Sequence, residues 1–161
     1  MADALLSELV GSLNDLYRLS GSARVHADTV RSTGVAITQT GLRVLSLIDD
    51  SPRISAGDLA VALDVSQPTA SRVLQSLESD QYVVRHQSDR DGRVSHYVTT
   101  AKGRKALARV HQYHVDRLAF ALGDTDPVPR TAIAQAVTEL VERLHGAAQG
   151  KAAHLKDSRT A

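Results

Sequence analysis

The segment SDRDGRVSH, residues 88–96, sets two arginines and two aspartates around one glycine, between runs that read as strands, YVVRH and VSHYVT. An arginine at the tip of such a hairpin suits the narrow, electronegative minor groove of duplex DNA. Arg90 and Arg93 are the candidates to enter it, Gly92 supplies the turn, and Asp91 can hold an arginine by a charge-assisted hydrogen bond. A second group lies upstream. Arg72 and Gln75 have the donor and acceptor geometry to read base edges, arginine on guanine and glutamine on adenine. Ser71 and Thr69 suit phosphate or water-mediated contacts, and Gln67 stands where a helix start could hold a phosphate. The third group is His111 and His114, at i, i+3, which could share a metal or ligand or report pH. A zinc site needs further ligands and no closer cluster is apparent, so two partly buried histidines bonded to backbone or water are the expectation, with no metal and no cofactor.

The elements that must carry these groups follow from apolar spacing. Leu5, Leu6, Leu9, Val10, Leu13, Leu16 and Tyr17 mark a leading helix continuing towards Val30, and Leu42, Leu45 and Ile48 mark a second from about Gln39 to Asp49. Ser55 reads as the N-cap of a short helix through Leu63. Asp64 then takes a left-handed turn, which aspartate tolerates better than most residues. Ser66 caps a longer helix with Pro68 in its first turn, where the missing N–H does little harm. Ala70, Val73, Leu74 and Leu77 form its buried stripe, which leaves Pro68, Arg72, Gln75 and Ser79 opposite the core and Ser71 on the flank.

Two short helices joined by a three-residue turn, then a hairpin, make a winged helix-turn-helix. A long helix from about Thr100 to Leu122 follows. Asp126 can then cap a final helix from about Pro127 to Ala148 with Ile133, Val137, Leu140, Val141 and Leu144 on one side. The expected fold is mainly α with a small β-hairpin wing. Its organisation is an N-terminal dimerisation helix (1–36), a DNA-binding domain (37–100), a long helix plus a C-terminal dimerisation helix (101–148) and a disordered tail (149–161).

Composition narrows the class. The chain has no cysteine, which removes disulfides and thiolate metal sites and fits a cytoplasmic setting. Four tyrosines, one phenylalanine and no tryptophan require an aliphatic core. No apolar run approaches the roughly 20 residues that span a bilayer, and the acid-bearing start MADALLSELV does not read as a signal peptide. The net charge of +1 hides an uneven distribution: residues 66–105 hold seven Lys/Arg against four Asp/Glu, while residues 1–65 hold five against eight. An anionic partner therefore meets the middle of the chain first. No Gly-rich phosphate loop, nucleophile elbow or His-Glu-x-x-His is present, so no enzyme is expected.

LAVALDVSQPTASRVLQSLESDQYVVR, the wing motif Asp91-Gly92-Arg93 and VTTAKGRKAL together resemble the multiple antibiotic resistance regulator (MarR) family of winged-helix transcription factors. The resemblance implies that Arg93 reaches the minor groove and Asp91 braces the wing. Two positions depart from the family pattern: its glycine after the LES segment is Gln81, and its leucine before T-x-x-G is Thr99. It also implies a small aromatic or otherwise anionic effector bound between the dimerisation helices and the DNA-binding lobe, where Tyr17, Arg24, His26, His111 and His114 could gather. The first and last helices carry apolar stripes that one small winged domain cannot cover. A symmetric dimer would bury both and set two recognition helices about one DNA turn apart, over a pseudo-palindromic operator. The expectation is thus a homodimeric repressor on double-stranded DNA, released by the effector. Two alternatives are a metal-responsive regulator using His111 and His114, and a winged-helix protein-interaction module without DNA binding.

Overall fold

The structure, a computed structural model, describes residues 2–51, 53–87, 95–123 and 130–157. The leading stripe is carried by two helices rather than one, α1 (Ala2–Ser20) and α2 (Ala23–Thr33). The break has a local cause: Gly21 weakens the helix, and the Ser22 hydroxyl accepts from the Val25 N–H at 3.2 Å, starting a new one. Gly34 closes α2 in the left-handed conformation, φ 68°. Helix α3 (Gln39–Asp50) begins where the Thr38 hydroxyl accepts from the Gly41 N–H at 3.0 Å.

A strand of two residues, β1 (Ile54–Ser55), comes next. Ser55 also caps α4 (Ala56–Leu63) in a reciprocal capping box: its hydroxyl accepts from the Asp58 N–H, and the Asp58 carboxylate accepts from the Ser55 N–H, both at 3.2 Å. Asp64 takes the expected left-handed turn, φ 52° and ψ 47°. Helix α5 (Gln67–Ser79) follows with Ser66 as N-cap and Pro68 in the first turn. Strands β2 (Val83–Gln87) and β3 (Ser95–Thr99) pair antiparallel from Val83↔Thr99 to Gln87↔Ser95. β1 adds to the other edge of β3 through Ile54↔Tyr97 and Ser55↔His96, giving the sheet order β1-β3-β2.

Helix α6 (Ala101–Leu122) and helix α7 (Arg130–Asp157) complete the chain. Helix α7 corrects the expected end at Ala148 and the disordered tail from 149. The apolar stripe stops there, but AAQGKAAHLKD carries four alanines and two lysines, good helix formers, against one glycine, Gly150. Asp126 and Pro127, expected to begin this helix, lie outside the described residues.

The chain forms two compact units, residues 1–116 and 117–161. In the first, α3, α4, α5, the sheet and the start of α6 close over one aliphatic core: Val44, Leu45 and Ile48, Leu59, Leu74 and Leu77, Val83 and Tyr97, Ala106 and Val110. Nearly complete burial of Leu45, Leu59 and Leu74 stabilises each by about 1.5–3 kcal/mol and fixes α5 by its inner face, so its outer face is free. In the second unit the Arg130 guanidinium donates to the Gly123 carbonyl at 3.0 Å, and Arg143 pairs with Glu139 along α7. Among the described residues no helix is long and apolar enough to cross a membrane.

Candidate functional site

The outer face of α5 carries the side chains the sequence assigned to it. Ser66, Gln67, Pro68, Thr69, Arg72 and Gln75 are exposed and Ser71 is half-buried on the flank, while Ala70, Leu74 and Leu77 face the core. The Ser66 and Thr69 hydroxyls bond each other at 2.8 Å and Ser66 accepts from the Thr69 N–H, so both are engaged in the cap. Arg72 borders a cavity of about 210 Å³ with Ile37, Thr38, Ser76 and Asp80, where α5 meets the start of α3. Arg90, Asp91, Gly92 and Arg93 lie outside the described residues. The wing root is described, and there the Arg85 guanidinium donates to the Ser95 hydroxyl across the two strands at 2.8 Å.

The end of α5 is tied to the start of α6. Thr100 donates its hydroxyl to the Gln81 carbonyl at 2.8 Å, and Lys102 donates to the Asp80 carbonyl at 2.7 Å while lying 4.7 Å above the Tyr82 ring. Gln81 itself holds φ 62°, a left-handed conformation that explains the family's glycine at this position. Gly103 packs so closely on the Tyr82 carbonyl and the Thr99 methyl that a Cβ would clash with both.

The five residues expected around an effector separate. His111 and His114 are exposed, not partly buried, and line a groove of about 600 Å³ between α3 and α6. Tyr17 lines a second cavity of about 550 Å³ at the end of α1, with Arg18, Gly21 and Thr40. Gln39 and Arg43 border both, and Gln39 donates to the Ser20 carbonyl at 2.9 Å. Arg24, exposed, and His26, half-buried, line neither.

The groove brings in residues the sequence reading passed over: Arg43, Ser46 and Asp49 on α3, and Arg104 on α6. Gln39, Arg43, Ser46 and Asp49 recur at helical spacing opposite Val44, Leu45 and Ile48, so a polar face of α3 was visible; that α6 lies against it was not. Two arginines, two histidines and one aspartate over Leu42, Leu107 and Val110 make a wall suited to an anion with an apolar body. Among the described residues no three His, Cys, Asp or Glu side chains come together to hold a metal ion.

Asp58 is the titratable group with a resolved shift among those described. Hydrogen bonds from the Ser55 side chain and then from its backbone N–H hold the carboxyl below the usual range, against a small opposing effect of burial and with a minor contribution from nearby His96.

A helix-turn-helix capped at each helix, followed by a hairpin whose inner strand also pairs with the residues before α4, is a winged helix-turn-helix. Residues 37–94 match the sequence profile of the MarR family, a span that begins just before α3 and ends just before β3. The fold is also that of solved MarR structures. A MarR family protein from Bacillus stearothermophilus superposes with TM-score 0.74 at 16% identity, over 90% of this chain and 99% of that one. FabT of Streptococcus pneumoniae, solved in complex with DNA, gives 0.60 at 20% identity over 91% and 99%. BldR, a transcriptional regulator from Sulfolobus solfataricus, gives 0.63 at 19% identity over 89% and 99%. No curated protein matches the chain by sequence. The chain thus has the winged-helix fold of MarR structures, and the part of it from residue 37 to 94 is similar in sequence to the MarR family.

Proposed function

We propose that the protein is a sequence-specific transcriptional regulator, a homodimeric repressor that binds a pseudo-palindromic operator through α5 and its wing. The observation that carries this reading is the exposed polar face of α5, with Arg72 and Gln75 held outward by a helix whose Ala70, Leu74 and Leu77 are buried in the core. Such a face admits base-edge contacts in the major groove, and the DNA-bound state of FabT supports the same use of the fold. On this reading Arg93 and Arg90 are the side chains that enter the minor groove, and Asp91 braces the wing. Exposed Leu5, Leu6, Leu9, Leu13 and Leu16 on α1, and Val137, Val141 and Leu144 on α7, support a dimer, since contiguous apolar surface of this kind is normally covered by a partner.

Alanine at Arg72 and at Arg93 tests the reading. A lost bidentate base contact costs about 1–3 kcal/mol, or roughly 5- to 150-fold in affinity for the cognate site. Unchanged specific binding in both variants would contradict the assignment. Wild type with no preference for any DNA would favour the alternative, a winged helix that serves a protein partner.

The groove between α3 and α6 supports an effector reading: a small aromatic carboxylate binds there through Arg43 and Arg104 and shifts the dimer towards a spacing of its wings that does not fit the operator. Release requires the ligand to prefer that spacing. Thermal shift against a panel of aromatic acids tests this, and stabilisation that disappears in Arg43→Gln is the expected result.

A further inference from the structure

We infer that Arg104 couples the groove to the wing, by exchanging the Thr99 carbonyl for the carboxylate of a bound aromatic acid. The inference rests on the groove reading given above and names how that site is read out.

Arg104 lies in the first turn of α6 and belongs to two places at once. Its side chain lines the groove, and its Nη1 donates to the Thr99 carbonyl at 2.8 Å. Thr99 is the last residue of β3, the central strand of the sheet, which comes directly out of the wing and pairs with β1 on one side and β2 on the other. The buried Thr99 hydroxyl has no hydrogen-bond partner among the described residues, so the arginine supplies polar support to a strand end that is already short of it. There is little slack around it. A Cβ at Gly103, the residue before Arg104, would sit 2.7 Å from the Thr99 methyl, and Thr100 and Lys102 bind the carbonyls of residues 80–82. Movement at the start of α6 therefore passes both to β3 and to the end of α5.

A carboxylate is a stronger acceptor for guanidinium than a peptide carbonyl, and it takes two parallel donors in a plane set by the ligand. Entry of an aromatic acid, its ring on Leu42, Leu107 and Val110, re-aims the planar fork and leaves the Thr99 carbonyl without its donor. The cost falls on the strand that carries the wing. Ligand-bound protein is thereby biased towards a wing position different from the free one, and DNA affinity falls.

Benzoate is the probe, with calorimetry for its binding and fluorescence anisotropy for DNA from upstream of the protein's own gene, each measured on the full chain. At benzoate concentrations that calorimetry shows to saturate each protein, wild type is expected to bind that DNA about 5- to 150-fold more weakly, the usual span of allosteric coupling, while Arg104→Gln, which keeps Arg43 for the carboxylate, is expected to bind benzoate and yet lose less than about twofold in DNA affinity. Should Arg104→Gln bind benzoate and still lose DNA affinity by the wild-type factor, the coupling role of Arg104 is overturned while the groove reading stands. Should benzoate not bind wild type, both fall. Two further measurements apply if Arg104→Gln does not fold. Arg104→Lys, which keeps the charge but not the fork, is expected to bind benzoate with the coupling reduced, and full coupling in it overturns the inference. In wild type the 13C resonance of the Thr99 carbonyl is expected to move as benzoate saturates, and a resonance that stays in place overturns it equally.

Discussion

Gln81 holds a left-handed backbone at the turn between α5 and β2, where its φ of 62° is strained for a residue with a Cβ. Gln81→Gly is expected to raise stability by about 1 kcal/mol, read as a Tm higher by roughly 2–4 °C. Gly103 is the opposite case. Gly103→Ala forces a methyl into the Tyr82 carbonyl and the Thr99 side chain, and chemical denaturation should show a loss of about 1–3 kcal/mol or more. The capping box adds a pH dependence. Asp58 titrates below the usual range in the folded chain, so its contribution is present above the unfolded pKa and is lost as pH falls through the folded one. Asp58→Asn should remove that part of the acid sensitivity below about pH 4 and leave the rest of the profile in place. A profile unchanged by the substitution would mean that the Ser55 hydrogen bonds contribute nothing.

The elements that were legible in the sequence are those whose signals agree. In α3, α4 and α5 an apolar stripe, a Ser or Thr cap and a turn residue coincide, and the left-handed Asp64 falls where its residue type suggested. What was not legible depended on contacts beyond the local chain. Ile54–Ser55 is too short to show alternation and is a strand only because β3 lies beside it. The break between α1 and α2 was hidden by an apolar rhythm that continues through Gly21-Ser22, and the extension of α7 by a stripe that ends before the helix does. The exposed polar face of α5 was readable because one helix suffices to define it. The groove was not, because Arg43 and Arg104 lie 61 positions apart and meet only when α6 packs on α3. Ser66→Ala tests how far the cap of α5 positions that face: a loss of about 1 kcal/mol is expected, with weaker DNA binding as the first turn frays.

The molecule as a whole joins a basic middle segment to helices that leave leucines in water. Residues 66–105 carry the excess of positive charge, and that charge lies in α5, the wing and the start of α6, the parts proposed to approach DNA. The exposed stripe of α1 is the surface proposed to form the dimer. Leu9→Glu combined with Leu13→Glu should yield a folded monomer in sedimentation and, with one recognition helix per particle, a large loss of operator affinity. The central claim, that this winged helix reads a DNA sequence, is tested most directly by fluorescence anisotropy of the protein on DNA from immediately upstream of its own gene, against scrambled DNA, at two salt concentrations. Tighter binding to the upstream DNA that persists at the higher salt, where phosphate contacts weaken, is the predicted result. Equal binding to both DNAs, abolished together by salt, would contradict sequence recognition at that site and leave the face of α5 to another partner.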